Sequence, residues 1–434
     1  MKILNYCLAF FAITALTFIS CEEEPDPILA PVVTSIVAEG TSFEDGSTLT
    51  KDLNGASSAT DVALKPQITI TLDKAVDAST VNVSNVSLSD GSEDVSSNVS
   101  STGSTITITP QDELKRGTQY TLNLNGIQSN DGGNLAGVTR TFVTEGRAPV
   151  VVPKAEDQIA YWNFDGQMMD QVGSFDPDNS VAIEFGTDRF GQGGSTATFD
   201  GDESIIEIPG ADALMASDSW TAAYWMKTNS DGHVNQDGNP SSYFVMGLGA
   251  FNGFQFEVRA ALNELGIAAG YQLGNGGTDS EGLFFNGNGQ DKDNGGWQGW
   301  DVSVALPEGG VEDMIKDKWV HVVYSYNADE QQGRLYLNGD LMKGFDFELW
   351  PDCAEPGTCK QSVTGVAYRE NTDVEPILAL GFIKSIDSPL WADTPWGDYA
   401  KPTANHYKGD LDDIRIFKNF LTPGEVEALY DAEK

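Results

Sequence analysis

Basic residues are scarce in this 434-residue chain: 25 Lys and Arg stand against 65 Asp and Glu, a formal charge of −40. A polyanion of that size repels phosphate backbones, which excludes nucleic acid as a partner. The acidic surplus has two readings: solubility, or a set of sites for hard cations such as Ca2+, which take carboxylate and carbonyl oxygens. Histidine is scarcer still, with three in the chain, and cysteine numbers four. No zinc-ligand spacing and no nucleophile elbow appears, which removes the commonest metal-hydrolase and serine-hydrolase chemistries. What is abundant is glycine, at 46, and a 40% hydrophobic content, enough to bury a core. The length predicts two or three domains.

Residues 1–20, "MKILNYCLAFFAITALTFIS", hold one basic residue, Lys2, and then an uncharged apolar run ending in Ser20 before Cys21. That pattern predicts a secretory signal peptide rather than a part of the fold. The "TFISC" ending resembles a bacterial lipoprotein lipobox, which implies lipidation at Cys21; the alternative is an ordinary signal peptide with an incidental cysteine. The following "EEEPDP" resembles the surface-export signal of Bacteroidetes lipoproteins, and residues 21–30 read as an acidic tether. The resemblance implies a location at the outer membrane, exposed on the cell surface, with the membrane met only through the lipid anchor. With Cys7 in the signal and Cys21 lipidated, Cys353 and Cys359 remain, in "CAEPGTC". A short spacer with Pro and Gly brings two Cα atoms within disulfide range, and an exported protein permits oxidation. A disulfide is expected there, with two free thiols as the alternative.

From 31 to 146 short alternating runs follow one another, among them "QITITL" (67–72), "QYTLNLNG" (119–126) and "VTRTFVTE" (138–145). Period-two alternation rich in Thr, Val and Ile predicts half-buried strands, and several in series predict a sandwich. The stretches "ITITLDKAVDASTV", "ITITPQDELKRGTQYTLNLNGIQSNDGGNLAG" and "RTFVTE" resemble the bacterial Ig-like domain, which implies a spacer or interaction module. A Pro-bearing linker is read at 147–158. From 159 to 434 longer, more aromatic strands are predicted, such as "DSWTAAYWMKT" (218–228) and "KWVHVVYSYN" (318–327). The tail "TPGEVEALYD" (422–431) predicts one short helix: Thr422 as N-cap, Pro423 at the first position, Glu425 completing a capping box. The ordered series "AYWNFDG", "ATFDGDESIIEIP", "WTAAYWMK", "KWVHVVYSY", "GRLYLNG" and "GDLDDIRIFKNFLTPGEVEALY" resembles the concanavalin A-like, laminin-G-type jelly roll. The expected fold class is therefore all-β: an Ig-like β-sandwich, then a jelly-roll β-sandwich with a short C-terminal helix. That fold hosts lectins, enzymes and adhesion modules alike.

In "KGDLDDIRIF" (408–417), strict alternation puts Asp412 on one face with Ile414 and Ile416, and Asp413 on the other with Leu411, Arg415 and Phe417. A carboxylate aimed at a core needs a partner, because burying it alone is prohibitive. The candidates are backbone amides, Arg415 or a cation. The jelly-roll resemblance implies a structural Ca2+ held by Asp165, the Asp200–Gly201 turn and Asp412, with Asp413 as an alternative to Asp412. The competing reading is two ordinary Asp–Gly turns and a hydrogen-bonded Asp.

Catalysis is not expected. Retaining glycosidases need two carboxyls about 5 Å apart, and the nearest match to the glucanase pattern, "GFDFELW" (344–350), has Asp346 and Glu348 but Gly344 where the nucleophile should stand. His321 reads as a hydrogen-bonded structural histidine. Aromatics in polar loops are the more suggestive feature, since sugar rings stack on them. Trp297 and Trp300 lie in "GNGQDKDNGGWQGWD" (287–301), Trp391 and Trp396 in "SPLWADTPWGDYAKPTANHYKG" (388–409). These four are the candidate glycan-binding residues; the alternative is that they pack their loops. The expected function is non-catalytic glycan binding at the cell surface, with a polysaccharide or oligosaccharide as ligand and outer-membrane glycan importer components as partners. An adhesion protein with a protein partner, and a glycan-active hydrolase or lyase, are the other two readings.

Overall fold

The computed structural model describes residues 28–43, 46–55, 58–287, 299–369, 371 and 373–434. Residues 1–20, read above as a signal peptide, and Cys21 and Trp297 lie outside them. The chain divides into two compact units: Met1–Gly40, Thr50–Leu114 and Thr118–Thr144 form one, and Thr41–Leu49, Lys115–Gly117 and Glu145–Lys434 the other.

The first unit is a β-sandwich. One sheet has the order Thr48–Asp52, Val33–Thr41, Gln67–Leu72, Thr105–Pro110, Ser97–Thr102. The other runs Ala59–Val62, Val138–Thr144, Gln119–Leu124, Val86–Ser89. Alternation does the work: Ile68 and Ile70, Ile106 and Ile108, and Leu122 and Leu124 are buried in one core while their Thr and Asn neighbours face outward.

The second unit is a larger two-sheet sandwich, all-β as expected. A nine-stranded sheet centres on the neighbours Lys408–Phe417, Trp220–Thr228, Trp319–Asn327, Gln332–Leu337 and Asp340–Asp346. The eight-stranded sheet has Leu378–Leu380, Tyr243–Leu248, Phe254–Val258, Leu265–Leu273 and Thr278–Phe285 side by side. Trp162, Trp220, Tyr224, Phe256 and Ile414 fill the space between the sheets. The closing helix is Pro423–Glu433, with the Thr422–Glu425 capping box formed as read. Val426 and Leu429 seat it on Ala223, Val323 and Phe417. Cys353 and Cys359 are bridged, with Cα atoms 5.3 Å apart.

Candidate functional site

The strand Lys408–Phe417 does not alternate strictly. Asp413 has φ +45°, and the register against Trp220–Thr228 shifts between Ala223 and Trp225. This β-bulge inserts one residue. Leu411, Ile414 and Ile416 point into the core, while Asp412, Asp413 and Arg415 join one polar network, so the expectation that the two acids take opposite faces is corrected. Ala197–Asp200 pairs with Lys408–Leu411 and Gln158–Trp162 with Ile414–Phe417. Asp412 and Asp413 fall in the gap between those two ladders.

Arginines fill that gap. Arg189 Nη1 lies 2.6 Å from Asp412 Oδ2, and its Nη2 donates to Asp413. Arg189 Nε donates to the Glu433 carbonyl at 2.8 Å, and the guanidinium lies 4.3 Å from the Trp225 ring centroid. Arg147 and the Tyr161 hydroxyl each donate to Asp413 at 2.5 Å. Arg415 Nε donates to Glu433 Oε1 at 2.7 Å, and Trp225 Nε1 to Glu433 Oε2 at 2.8 Å. Three carboxylates thus meet three guanidiniums beneath the C-terminal helix. Burial pushes the Asp413 carboxyl up, but Arg147, Arg189 and Arg415 outweigh it and hold the group below the ordinary carboxylate range. Burial and the Asp413 charge push Asp412 up. The arrangement is structural, with its charges satisfied internally.

The calcium set is therefore not assembled. Asp412 is taken by a guanidinium. Asp200 Oδ1 accepts the amides of Asp202, Glu203 and Ser204 at 2.8–3.0 Å, a turn that Gly201 permits at φ +81°. Asp165 accepts from Asn163 Nδ2 at 2.8 Å. Among the described residues no three His, Cys, Asp or Glu side chains converge to hold a metal ion. These donors do not fit the ion.

The outer face of the eight-stranded sheet is built differently. Phe254, Phe256, Ile267, Ala269, Leu283 and Phe285 face the core, so their neighbours face out. Register aligns Gln255 with Ala268 and Ala268 with Gly282 across three strands, and the Phe284 ring lies over Gly282, where a Cβ would sit 2.9 Å from its Cε2. At one end Arg259 covers Phe284, its guanidinium 4.0 Å from the ring centroid, and pairs with Glu257 and Glu264. At the other end the Arg369 side chain crosses Gly270: a Cβ there would sit 3.1 Å from Arg369 Cγ and 2.4 Å from the Ala367 carbonyl. The segment 382–407 covers the rest of this face, where Phe382, Ile383 and Ala404 pack on Ile205, Phe244 and Ala379.

On that segment Trp391 and Trp396 form a tilted pair, ring centroids 5.0 Å apart. Trp391 takes φ +59°, a conformation that a bulky residue keeps only when its surroundings impose it. Its carbonyl accepts from Thr394 N and Oγ1 at 2.9 and 2.8 Å, and Gly397 allows the close turn, since a Cβ there would lie 2.7 Å from Trp391 Cβ. Phe251 lies 5.8 Å from Trp391, and Arg369 Cζ 5.6 Å from the Phe251 ring. Of the eight tryptophans among the described residues only Trp396 is exposed, at 42%. An aromatic ridge thus leads from the exposed indole to a guanidinium at the edge of this face.

Residues 50–144 match the family model of the bacterial Ig-like domain. No curated protein matches the chain. Among solved structures, the binding domain of botulinum neurotoxin serotype D/C VPI 5993 aligns with a TM-score of 0.39 at 11% identity, covering 64% of this chain and 53% of that one. A botulinum neurotoxin DC binding domain in complex with SialylT gives 0.38 at 11%, covering 64% and 52%. The type G receptor binding domain gives 0.36 at 14%, covering 64% and 51%. The chain spans about half the length of these structures, and at such scores no argument about function rests on the likeness.

The other expected residues divide. Trp300 is not in a loop: it opens the strand Trp300–Ser303, half-buried against the core with Lys343 Nζ 3.8 Å from its ring centroid. Edge pairing with Phe345 draws it into the sheet. Gly344 is where the glucanase nucleophile would stand, and a Cβ there would lie 2.6 Å from Arg334 Nη1, which pairs with Asp301. His321 is buried, but neither ring nitrogen has a hydrogen-bond partner among the described residues, contrary to the reading of a hydrogen-bonded histidine. Trp225 lies beneath the C-terminal helix, stacked on Tyr430. Arg369, Gln255 and Phe251 were missed. The glycines at 266, 270 and 282, alternating with apolar residues, were the available signal.

Proposed function

We propose that this protein is a non-catalytic glycan-binding lipoprotein of the outer membrane, anchored through Cys21, with the Ig-like unit as spacer and the second unit as the polysaccharide-capturing module. The observation that carries this reading is the Trp391–Trp396 pair: an exposed indole, backed by a second ring in an imposed conformation, beside a sheet face where Gln255 and Ala268 lie in register. Sugar rings present CH-rich faces to such a ridge, and their hydroxyls are left for polar side chains such as Gln255. Capture needs only micromolar to millimolar affinity, about −4 to −8 kcal/mol, within reach of two rings and a few hydrogen bonds. Glycan importer components are the natural partners of such a protein.

The test is affinity electrophoresis of the full chain carrying Cys21→Ser against a polysaccharide panel, with melting measured in parallel. Trp396→Ala is expected to weaken retardation at least tenfold and to lower melting by no more than about 4 °C, because the ring is 42% exposed and otherwise packs on Trp391 and Phe244. If Trp396→Ala lowers melting further than that and leaves retardation intact, the pair packs the loop and the reading fails. Shortened polysaccharide chains in the same incubations would favour an enzyme instead. Anchoring is checked by cell fractionation: membrane association should be lost in Cys21→Ser.

A further inference from the structure

We infer that the glycan bound on this face is acidic, and that Arg369 reads its carboxylate or sulfate group. The inference rests on the glycan-binding reading and deepens it. Every other arginine of the Glu145–Lys434 segment is ion-paired: Arg147 and Arg189 with Asp413, Arg259 with Glu257 and Glu264, Arg334 with Asp301, Arg415 with Glu433. Among the described residues Arg369 stands outside these pairs, in a chain with 65 acidic residues. Its Nε is buried and has no hydrogen-bond partner among the described residues. A guanidinium left with an unmet donor in a protein of charge −40 is a cost that a bound anion would remove.

Position agrees with charge. Arg369 lies over Gly270, on the outer face where Gln255 also points, and Gln255 Oε1 is a second buried polar atom without a partner among the described residues. Gln255 pairs in register with Ala268, two residues along the strand from Gly270. Among the described residues the face therefore offers one unmet donor, Arg369 Nε, and one unmet acceptor, Gln255 Oε1, beside Ala268 and bordered by Phe251. An acidic sugar satisfies all of these together: its anion takes the guanidinium, a ring hydroxyl donates to Gln255, and its apolar face lies along the aromatic ridge. The acidic surface elsewhere would repel such a polymer, so binding has to be local and short-ranged, within a Debye length of about 8 Å at physiological salt.

The full chain carrying Cys21→Ser is titrated with polygalacturonate, κ-carrageenan and laminarin, as carboxylate, sulfate and neutral probes. Retention of one acidic polymer at least tenfold above laminarin is expected, and which acidic polymer is retained identifies the anion. Arg369→Gln should reduce that retention about tenfold or more with melting lowered by no more than about 4 °C, and Arg369→Lys should restore part of it. Equal retention of wild type and Arg369→Gln overturns the inference while leaving the glycan reading intact, as does a preference for laminarin. If no polysaccharide of any charge is retained, both fall together. A larger fall in melting for Arg369→Gln and Arg369→Lys alike would assign the arginine to packing and overturn its role as reader.

Discussion

The two outer faces of the second unit treat charge in opposite ways. Over the nine-stranded sheet, Asp412, Asp413 and Glu433 are met by Arg189, Arg147 and Arg415 and sealed beneath the Pro423–Glu433 helix. Over the eight-stranded sheet, Arg369 Nε and Gln255 Oε1 are left without partners among the described residues, beside glycine, alanine and an exposed tryptophan. Both faces desolvate polar groups. On the first the charges are paired within the protein, although Arg147 Nη1 and both His321 nitrogens lack hydrogen-bond partners among the described residues; on the second the guanidinium has no ion pair among the described residues. A buried charge is thus informative only together with its partners: the acid pair that first invites a functional reading is structural, and the arginine that no motif marks is the better candidate.

The largest effect expected from breaking this contrast is at Arg189. Arg189→Ala removes the positive charge shared by Asp412 and Asp413, and losing one partner of a buried network costs about 3–5 kcal/mol. Arg369→Gln, on the other face, should stay within about 1 kcal/mol of wild type, since among the described residues it loses a stacking contact with Phe251 and no ion pair. Urea unfolding of both variants measures the difference. Equal destabilisation would show that the two faces are not distinct in kind.

A smaller effect, with a defined pH window, is expected at His321. Burial, with Arg189 and Arg415 adding to it and Asp413 opposing, pushes its imidazole down to about 3, and Glu433 Oε2 lies 3.7 Å away. The folded protein therefore holds His321 neutral, while the unfolded chain protonates it below about 6.5. Unfolded binds more protons than folded between those values, so stability is full above about 6.5 and falls as pH drops toward 3, by about 1.4 kcal/mol per unit at the steepest. Asp412 and Glu433, both raised by burial, act in the opposite sense. Asp413, held low, adds its own loss only below the usual Asp range. The comparison is accordingly between wild type and His321→Phe, which keeps a ring against Trp225. The variant should have the shallower slope between pH 6 and pH 4.5, and parallel slopes would refute the assignment.

What was legible follows from where periodicity survives. Val, Ile and Thr alternation in the first unit, and the long aromatic strands Trp220–Thr228 and Trp319–Asn327, announce themselves because each position has one face and one chemistry. The helix was legible from Thr422, Pro423 and Glu425 alone, since capping is local. Tyr243–Leu248, Leu265–Leu273 and Thr278–Phe285 were not read as strands. On the last two, Gly266, Gly270 and Gly282 stand where polar outward residues would complete the alternation. The glycines that make room for the Phe284 ring and for the crossing of Ala367 and Arg369 are the ones that blur its pattern. Trp391 and Trp396 were marked from composition, but their link through Phe251 to Arg369 joins segments more than a hundred residues apart and no local signal carries it. The bulge at Asp413 hid in the same way: one inserted residue reverses the face of everything before it.

The smallest expected effect is the one calcium would have made large. A cation bound only by the folded state raises stability by mass action, about 2.7 kcal/mol at a hundredfold excess over its dissociation constant, and chelation removes that gain. The Asp412 carboxylate instead has Arg189 Nη1 at 2.6 Å, so a fixed guanidinium already supplies the positive charge that the strand requires. Asp200 spends one oxygen on three backbone amides, which hold its carboxyl below the ordinary range against burial. Melting of the full chain carrying Cys21→Ser should therefore be the same in excess chelator and in millimolar Ca2+. A fall on chelation that Ca2+ and not Mg2+ reverses would mean that the acids of this unit hold a metal after all. The same pair of scans on Arg189→Ala sharpens the test. With the guanidinium gone, Asp412 and Asp413 are two adjacent acids without their shared counter-charge, and only in that variant should Ca2+ raise the melting temperature.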